Sequence, residues 1–198
     1  MSFRIEEKIL IGKNEIIEFK KIYQKKFLKK LYPPRLIKSL YFENSNNDLY
    51  KDSVEGTLPR KKIRVRNYPN DKNNQFYLEK KISSFEGRFK SKEEIKELDF
   101  KKIINYGVYD DNYGYCKPIM YVQYIRHYYI LNKTRVTHDS NIQYFLFKNK
   151  IVKNEENDIF EIKTNFNSDL DELYENFPMN RSRFSKYCNG FRKFFIEA

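Results

Sequence analysis

The segment that most constrains this chain is Arg60-Lys61-Lys62-Ile63-Arg64-Val65-Arg66-Asn67-Tyr68. Successive side chains of a strand point to opposite faces. With that period, Arg60, Lys62, Arg64 and Arg66 share one face, and Lys61, Ile63, Val65 and Asn67 share the other. The second face is apolar only in its middle. Four cations in a row repel each other, and nothing in the segment neutralises them. Such a row is ordinarily the wet side of a half-buried sheet. Its recurrence in other strands points instead to basic faces that converge on one anionic ligand.

The charge balance agrees. A net charge of +12 and a pI of about 9.4 imply an anionic partner: a phosphate chain, a nucleotide, nucleic acid or a membrane surface. The cations lie inside strand-like segments, whereas a non-specific polyanion reader often carries them in a tail or along one helix. Abundant Tyr and Phe suit strands, and could also stack bases. Cys116 and Cys188 form no CxxC pair and no metal spacing, which reads as a reduced intracellular protein. No apolar signal region or membrane-length apolar run is present, so a soluble, cytoplasmic chain is expected, with membrane attachment left to a partner. The length of 198 residues suits a single domain spanning 1–198.

Along the chain, Phe3 to Ile11 alternates as a first strand, with Arg4, Glu6 and Lys8 on one face. Ile16, Phe19, Tyr23 and Phe27 recur at helical spacing and predict a helix from Glu15 to Leu31, stopped by Pro33-Pro34. Arg35 to Asn44 reads as a strand, Ser45 to Pro59 as a polar loop, and Phe76 to Ile82 as a strand carrying Glu79 and Lys81 together. Arg88, Lys90 and Lys92 form a basic segment before a predicted helix, Glu93 to Tyr106, and Gly107 to Pro118 reads as a loop. Strands are predicted over Met120 to Leu131, Arg135 to Phe147 and Asp158 to Thr164. Ser168 is placed to cap a short helix, Asp169 to Phe177, and the basic, aromatic tail from Arg181 to Phe195 is expected to be helical in part.

The expected class is therefore α+β and predominantly antiparallel. Nearly every strand opposes a charged face to a mostly apolar one. Either the apolar faces form the core and the charges meet water, or the sheet closes into a barrel with a polar lumen and helices covering its outer faces. The second arrangement crowds cations into a partly desolvated space, which a polyanion would make favourable. A lone carboxylate among them could hold a divalent metal that bridges phosphates.

The residues carry a resemblance at this point. Arg4-Ile5-Glu6-Glu7-Lys8, Ser39-Leu40-Tyr41-Phe42-Glu43, Lys62-Ile63-Arg64-Val65-Arg66-Asn67-Tyr68 and Tyr77-Leu78-Glu79-Lys80-Lys81 resemble, in order, the VTC domain. This is the catalytic domain of vacuolar transporter chaperone polyphosphate polymerases, within the triphosphate tunnel metalloenzymes, alongside CYTH phosphatases. Tyr124-Ile125-Arg126, Arg135-Val136-Thr137-His138-Asp139, Phe160-Glu161-Ile162-Lys163 and Ser185-Lys186-Tyr187-Cys188-Asn189-Gly190 extend the resemblance to nearly the whole chain.

The resemblance implies a closed antiparallel β-barrel, the triphosphate tunnel, with helices packed outside and at its ends. It implies transfer of the terminal phosphoryl of ATP to inorganic polyphosphate with Mn²⁺ or Mg²⁺. Carried over by position, Lys8, Arg64, Arg66, Lys81, Arg126 and Lys186 look like the phosphate-binding catalytic cations. Tyr124 and Ser185 look like hydrogen-bonding neighbours, and Glu161 like the metal carboxylate. Arg4, Arg60, Lys62, Lys163 and Arg183 fall on the tunnel wall or its mouths. The attacking phosphate oxygen is already anionic, so neither a Ser-His pair nor a Walker A motif is required. His127 and His138 fall on the opposite face and read as structural. The first strand places Glu6 and Glu7 on opposite faces, whereas hydrolytic tunnel enzymes usually carry an alternating carboxylate pair there. A non-catalytic polyphosphate-binding module and a tunnel-fold triphosphate or polyphosphate hydrolase are the alternatives. A nucleic-acid binder is a distant fourth reading.

Overall fold

A computed structural model describes residues 4–12, 14–25, 28–73, 75–165 and 170–197. In chain order its first elements are β1 (Arg4–Ile11), α1 (Ile16–Lys25), β2 (Lys29–Glu43), α2 (Asp48–Glu55), β3 (Arg60–Asn67), β4 (Phe76–Ser84) and β5 (Gly87–Ile95). There follow α3 (Glu97–Tyr106), β6 (Val108–Asp110), β7 (Gly114–Leu131), β8 (Thr134–Leu146), β9 (Val152–Asn154), β10 (Asp158–Asn165), α4 (Leu170–Asn176) and α5 (Lys186–Phe195). The strands pair in the order β1-β10-β8-β7-β2-β3-β4-β5, with β6 on β7 and β9 on β8. The ladders with a described register are antiparallel. The antiparallel α+β class expected from the alternation is present.

The closed barrel is not what the pairing gives. The path ends at β1 and at β5, and among the described residues these two do not pair. The outer strand β5 carries Arg88, Lys90, Lys92, Glu93 and Glu94, all exposed. Exposed charge of this kind is how sheet edges avoid further pairing.

The chain divides into two compact units. One comprises Met1–Arg35, Tyr124–Ile142 and Asn154–Phe184; the other Leu36–Gln123, Gln143–Lys153 and Ser185–Ala198. In the first, Ile9, Ile11, Val136, Phe160 and Ile162 project from β1, β8 and β10. Phe19 of α1 and Leu173 of α4, with Phe177 just beyond, close over them. Phe19 and Phe160 meet ring to ring at 4.0 Å. The apolar strand faces are thus covered by helices, which leaves the charged faces on the other side of the ladder.

The second unit repeats this logic. Ile63 and Val65 are buried, and Phe76 of β4 stacks on Phe100 of α3 at 4.2 Å. Lys61, the flaw in that apolar face, has a cause. Its Nζ donates to Asp110 Oδ1 at 2.8 Å, and Lys80 Nζ reaches Oδ2 at 2.9 Å. Burial would raise the Asp110 carboxyl, but these two lysines outweigh it and lower it.

Several elements differ from expectation. Among the described residues α1 runs to Lys25 and β2 already begins at Lys29, with Pro33-Pro34 inside that strand. That part of the strand is exposed, where proline's missing N–H costs nothing. Glu93 and Glu94 belong to β5, opposite Leu78 and Tyr77, so the helix starts later, at Glu97. The Ser45–Pro59 loop contains α2, and the loop over 107–118 contains β6 and the start of β7. The proposed cap Ser168 lies outside the described residues.

Candidate functional site

In the second unit the register of β3, β4 and β5 sets four rows on one face. They are Arg60–Ser83–Arg88, Lys62–Lys81–Lys90, Arg64–Glu79–Lys92 and Arg66–Tyr77–Glu94. Like charges directly opposed across strands are destabilising. The lysine row contains no carboxylate of its own.

Glu79 in the adjacent row is the local counter-charge and is 1% exposed. It takes Arg64 Nε at 2.8 Å and Nη2 at 2.6 Å on one oxygen, and Lys90 Nζ at 2.5 Å on the other. Arg66 Nη1 stands 4.0 Å away. Burial alone would raise this carboxyl, but Arg64, Arg66 and Lys90 hold it down to about 2. Arg64 also donates to Tyr41 Oη at 3.0 Å, and Arg66 Nε to Ser39 Oγ at 3.1 Å. At 7% and 8% exposure, neither arginine lies in bulk water.

The start of α5 is pinned beside this face. Ser185 caps the helix by accepting from Cys188 N, and its Oγ also accepts from Lys62 Nζ at 2.8 Å. Tyr187 stacks on Tyr41 at 5.2 Å, and its hydroxyl donates to buried Glu43. Glu43 also accepts from the N–H groups of Leu49 and Tyr50, in the first turn of α2. Burial raises the Glu43 carboxyl, with these hydrogen bonds acting against it. Lys186 is the first residue of the helix so fixed. Arg60 is used differently: it donates to the carbonyls of Gly56 and Thr57 at 3.0 and 3.2 Å, closing the turn before β3.

The first unit carries the other charged face. Lys8 lies opposite Glu161, and Glu6 opposite Lys163, across β1 and β10. Glu161 receives Lys163 Nζ at 2.6 Å and Arg126 Nη2 at 3.7 Å. Arg126 makes a two-pronged pair with Asp139 at 2.6 and 2.7 Å. Burial would raise Glu161, yet Arg126, Lys163 and Lys8 hold it well below the ordinary range. Burial would lower Arg126, yet Asp139 holds it well above its ordinary value. Both shifts favour the charged forms. Lys8 Nζ also donates to Phe184 O at 2.7 Å. Tyr124 is buried with its ring 5.3 Å from the Arg126 guanidinium. Arg183 is exposed, and the Arg4 side chain lies outside those described.

His138 sits on the opposite strand face. It pairs with Asp158 at 2.6 Å and stacks on Phe160 at 4.3 Å, with His127 stacked at 5.2 Å. Burial, then His138, lowers the His127 pKa.

Among the described residues no group of three or more His, Cys, Asp or Glu side chains could hold a metal unaided. A single carboxylate is nonetheless what a phosphate-bridged Mg²⁺ or Mn²⁺ requires, since substrate oxygens and water complete its shell. Glu161 is ionised and faces cations. Thr137 lies directly across from it in β8, and Thr137 Oγ1 is buried with no hydrogen-bond partner among the described residues. An orphaned hydroxyl beside an ionised carboxylate fits a site completed by oxygen ligands.

Lys90, Glu79, Asp139 and Thr137 are among the positions that the site assignment by resemblance omits. The alternation Arg88, Lys90, Lys92 was a signal for the first. The role of Asp139 depends on its reach to Arg126, which no spacing shows.

A family model described as the VTC domain matches residues 3–195. The chain belongs to the VTC domain family. A search of curated proteins returned no significant match. Among solved structures, this VTC domain is similar to a candidate adenylate cyclase of Bacillus halodurans, with TM-score 0.63, 15% identity and 98% of both chains covered. A candidate adenylyl cyclase from Hippeastrum, reported with a dominant triphosphatase activity, gives TM-score 0.59 at 16% identity over 96% of both chains. A conserved hypothetical protein of Pyrococcus furiosus gives 0.57 at 14%, over 94% of this chain and 99% of that one. At such identities the likeness establishes the fold alone. No helix among the described residues is long and apolar enough to cross a membrane.

Proposed function

We propose that this VTC domain, taken as one domain over 1–198, is a metal-dependent polyphosphate polymerase. It transfers the terminal phosphoryl group of ATP to a growing inorganic polyphosphate chain. The observation that carries the reading is the Lys62–Lys81–Lys90 row beside buried Arg64 and Arg66, with Glu79 the buried carboxylate set among these cations. Such a surface is best compensated by a ligand of repeating negative charge.

In the reaction, a terminal phosphate oxygen of the chain forms the new bond to the γ-phosphorus, and the bond to the bridging oxygen breaks to release ADP. The nucleophile is already anionic, so alignment and charge neutralisation supply the catalysis. Arg64, Arg66, Lys81, Arg126, Lys8 and Lys186 act as the neutralising cations. Arginine forks bind phosphate oxygens in pairs, which fixes direction as well as charge. Lys62, Lys163 and Arg183 add to the electrostatic field, and Ser185 and Tyr124 offer hydrogen bonds. Glu161 would hold Mn²⁺ or Mg²⁺, and the ion when bound withdraws charge from the transferred group.

The test is incubation of the purified protein with ATP and Mn²⁺, a gel stained for polyphosphate, and a parallel assay of free phosphate. A ladder of polymer is expected. Free phosphate without polymer would replace the reading by a hydrolase. Neither product, with tight binding of added polyphosphate, would replace it by a binding module.

A further inference from the structure

The cationic face of the second unit runs into an aromatic cavity at one end. Tyr77 lies directly opposite Arg66, and Tyr68, two residues beyond Arg66, meets it edge to face with ring centroids 6.3 Å apart. These rings, with Asp71, Lys72, Asn73 and Gln75, line a cavity of about 260 Å³. Tyr77 is held from two sides. Its hydroxyl donates to Gln75 Oε1 at 2.8 Å, while Lys92 Nζ stands 3.5 Å over its ring. Gln75 is fixed in turn by donating to Glu94 at 2.7 Å. At a strand rise of about 3.3 Å per residue, Tyr68 lies about 7 Å beyond Arg66 and about 13 Å beyond Arg64. The cavity thus opens one ligand-length from the best-formed phosphate cations.

We propose that this cavity is the nucleobase subsite of the phosphate donor, and that it takes adenine. The inference rests on the polymerase reading and adds the substrate's recognition to it. A tyrosine ring already fixed by two neighbours offers a stacking surface at little entropic cost. The Asn73 amide can pair with N6 and N7 of adenine, and the Asp71 carboxylate can accept from its exocyclic amine. Guanine presents an oxygen where that amine would be, and Asp71 would repel it. Polyphosphate has no base and makes no use of the cavity, so a donor and an acceptor that are both phosphate chains become distinguishable.

The experiment compares binding of ATP, GTP and inorganic tripolyphosphate, by calorimetry without divalent metal, to wild type, Tyr77→Ala, Tyr77→Phe and Asn73→Ala. Wild type is expected to bind ATP more tightly than GTP. Tyr77→Ala should weaken ATP about tenfold and leave tripolyphosphate where it was. Tyr77→Phe keeps the ring and should keep ATP affinity, and Asn73→Ala should narrow the difference between ATP and GTP. Unchanged ATP affinity in Tyr77→Ala would overturn the proposal, as would equal losses for ATP and tripolyphosphate. Failure of wild type to bind tripolyphosphate at all would overturn the polymerase reading itself.

Discussion

Glu79→Gln removes one charge and almost no volume from the centre of the basic face. In the native protein Glu79 faces Arg64, Lys90 and Arg66 at 2.6, 2.5 and 4.0 Å. These cations take its pKa from 4.5 to about 2. At about 1.4 kcal/mol per pH unit, that fall corresponds to about 3 kcal/mol of stability at neutral pH. The sign follows from the depressed value. The contribution is fully present above about pH 4.5 and is lost as pH falls toward about 2. Glutamine leaves three cations around a neutral group, so the variant is expected to lose about 3 kcal/mol or somewhat more, the scale of breaking a buried ion pair. Urea unfolding at neutral pH and at a series of acid pH values measures this, with an unchanged slope marking a true stability effect. The two proteins should converge in acid. Added polyphosphate should raise the midpoint of Glu79→Gln more than that of wild type, because the ligand then supplies the missing counter-charge. Equal stability at neutral pH, or a gap that persists undiminished in acid, would refute the reasoning.

Three further outcomes follow from the same geometry. Glu161→Ala should abolish metal-dependent polymer formation on the stained gel while circular dichroism stays native, since Arg126 keeps its pair with Asp139; normal turnover would remove the metal assignment. Arg66→Ala should weaken polyphosphate binding and lower by about one the slope of log affinity against log salt, as for a cation that releases a counterion; a slope unchanged in fluorescence titrations would place Arg66 outside the ligand site. Gly190→Ala puts a methyl 2.5 Å from Tyr144 Cδ1 and 2.9 Å from Met120 Sδ, and should lower the urea midpoint by about 1–3 kcal/mol in stability.

The strands that alternate cleanly were legible in the sequence. β3, β4 and β10 need only parity to be found, and parity also put Arg64, Arg66, Glu79 and Glu161 on polar faces. Elements whose determinants lie elsewhere were not. α2 begins after Asn47, which has a left-handed backbone (φ 60°) and gives no side-chain cap. Its leading N–H groups are satisfied by Glu43, from the end of β2, and by Asn44. A cap delivered by the preceding strand leaves no Ser-x-x-Glu signature to read. β5 was missed in part because Glu93 and Glu94 favour a helix, while pairing with Leu78 and Tyr77 decides otherwise.

The site was legible only as far as parity reaches. Parity says that Arg64 and Glu79 face the same way, but not that they touch. Contact depends on register. With β4 slipped by two residues, Tyr77 or Lys81 would oppose Arg64 in place of Glu79. Every side chain would keep its face, and the hydrophobic pattern would be preserved. Yet Arg64 would lose its carboxylate, and with Lys81 opposite it two cations would be opposed instead. The observed register is the one that sets Glu79 against Arg64 and within reach of Lys90. Charge compensation within the sheet is therefore set by the alignment of strands and not by the alternation alone.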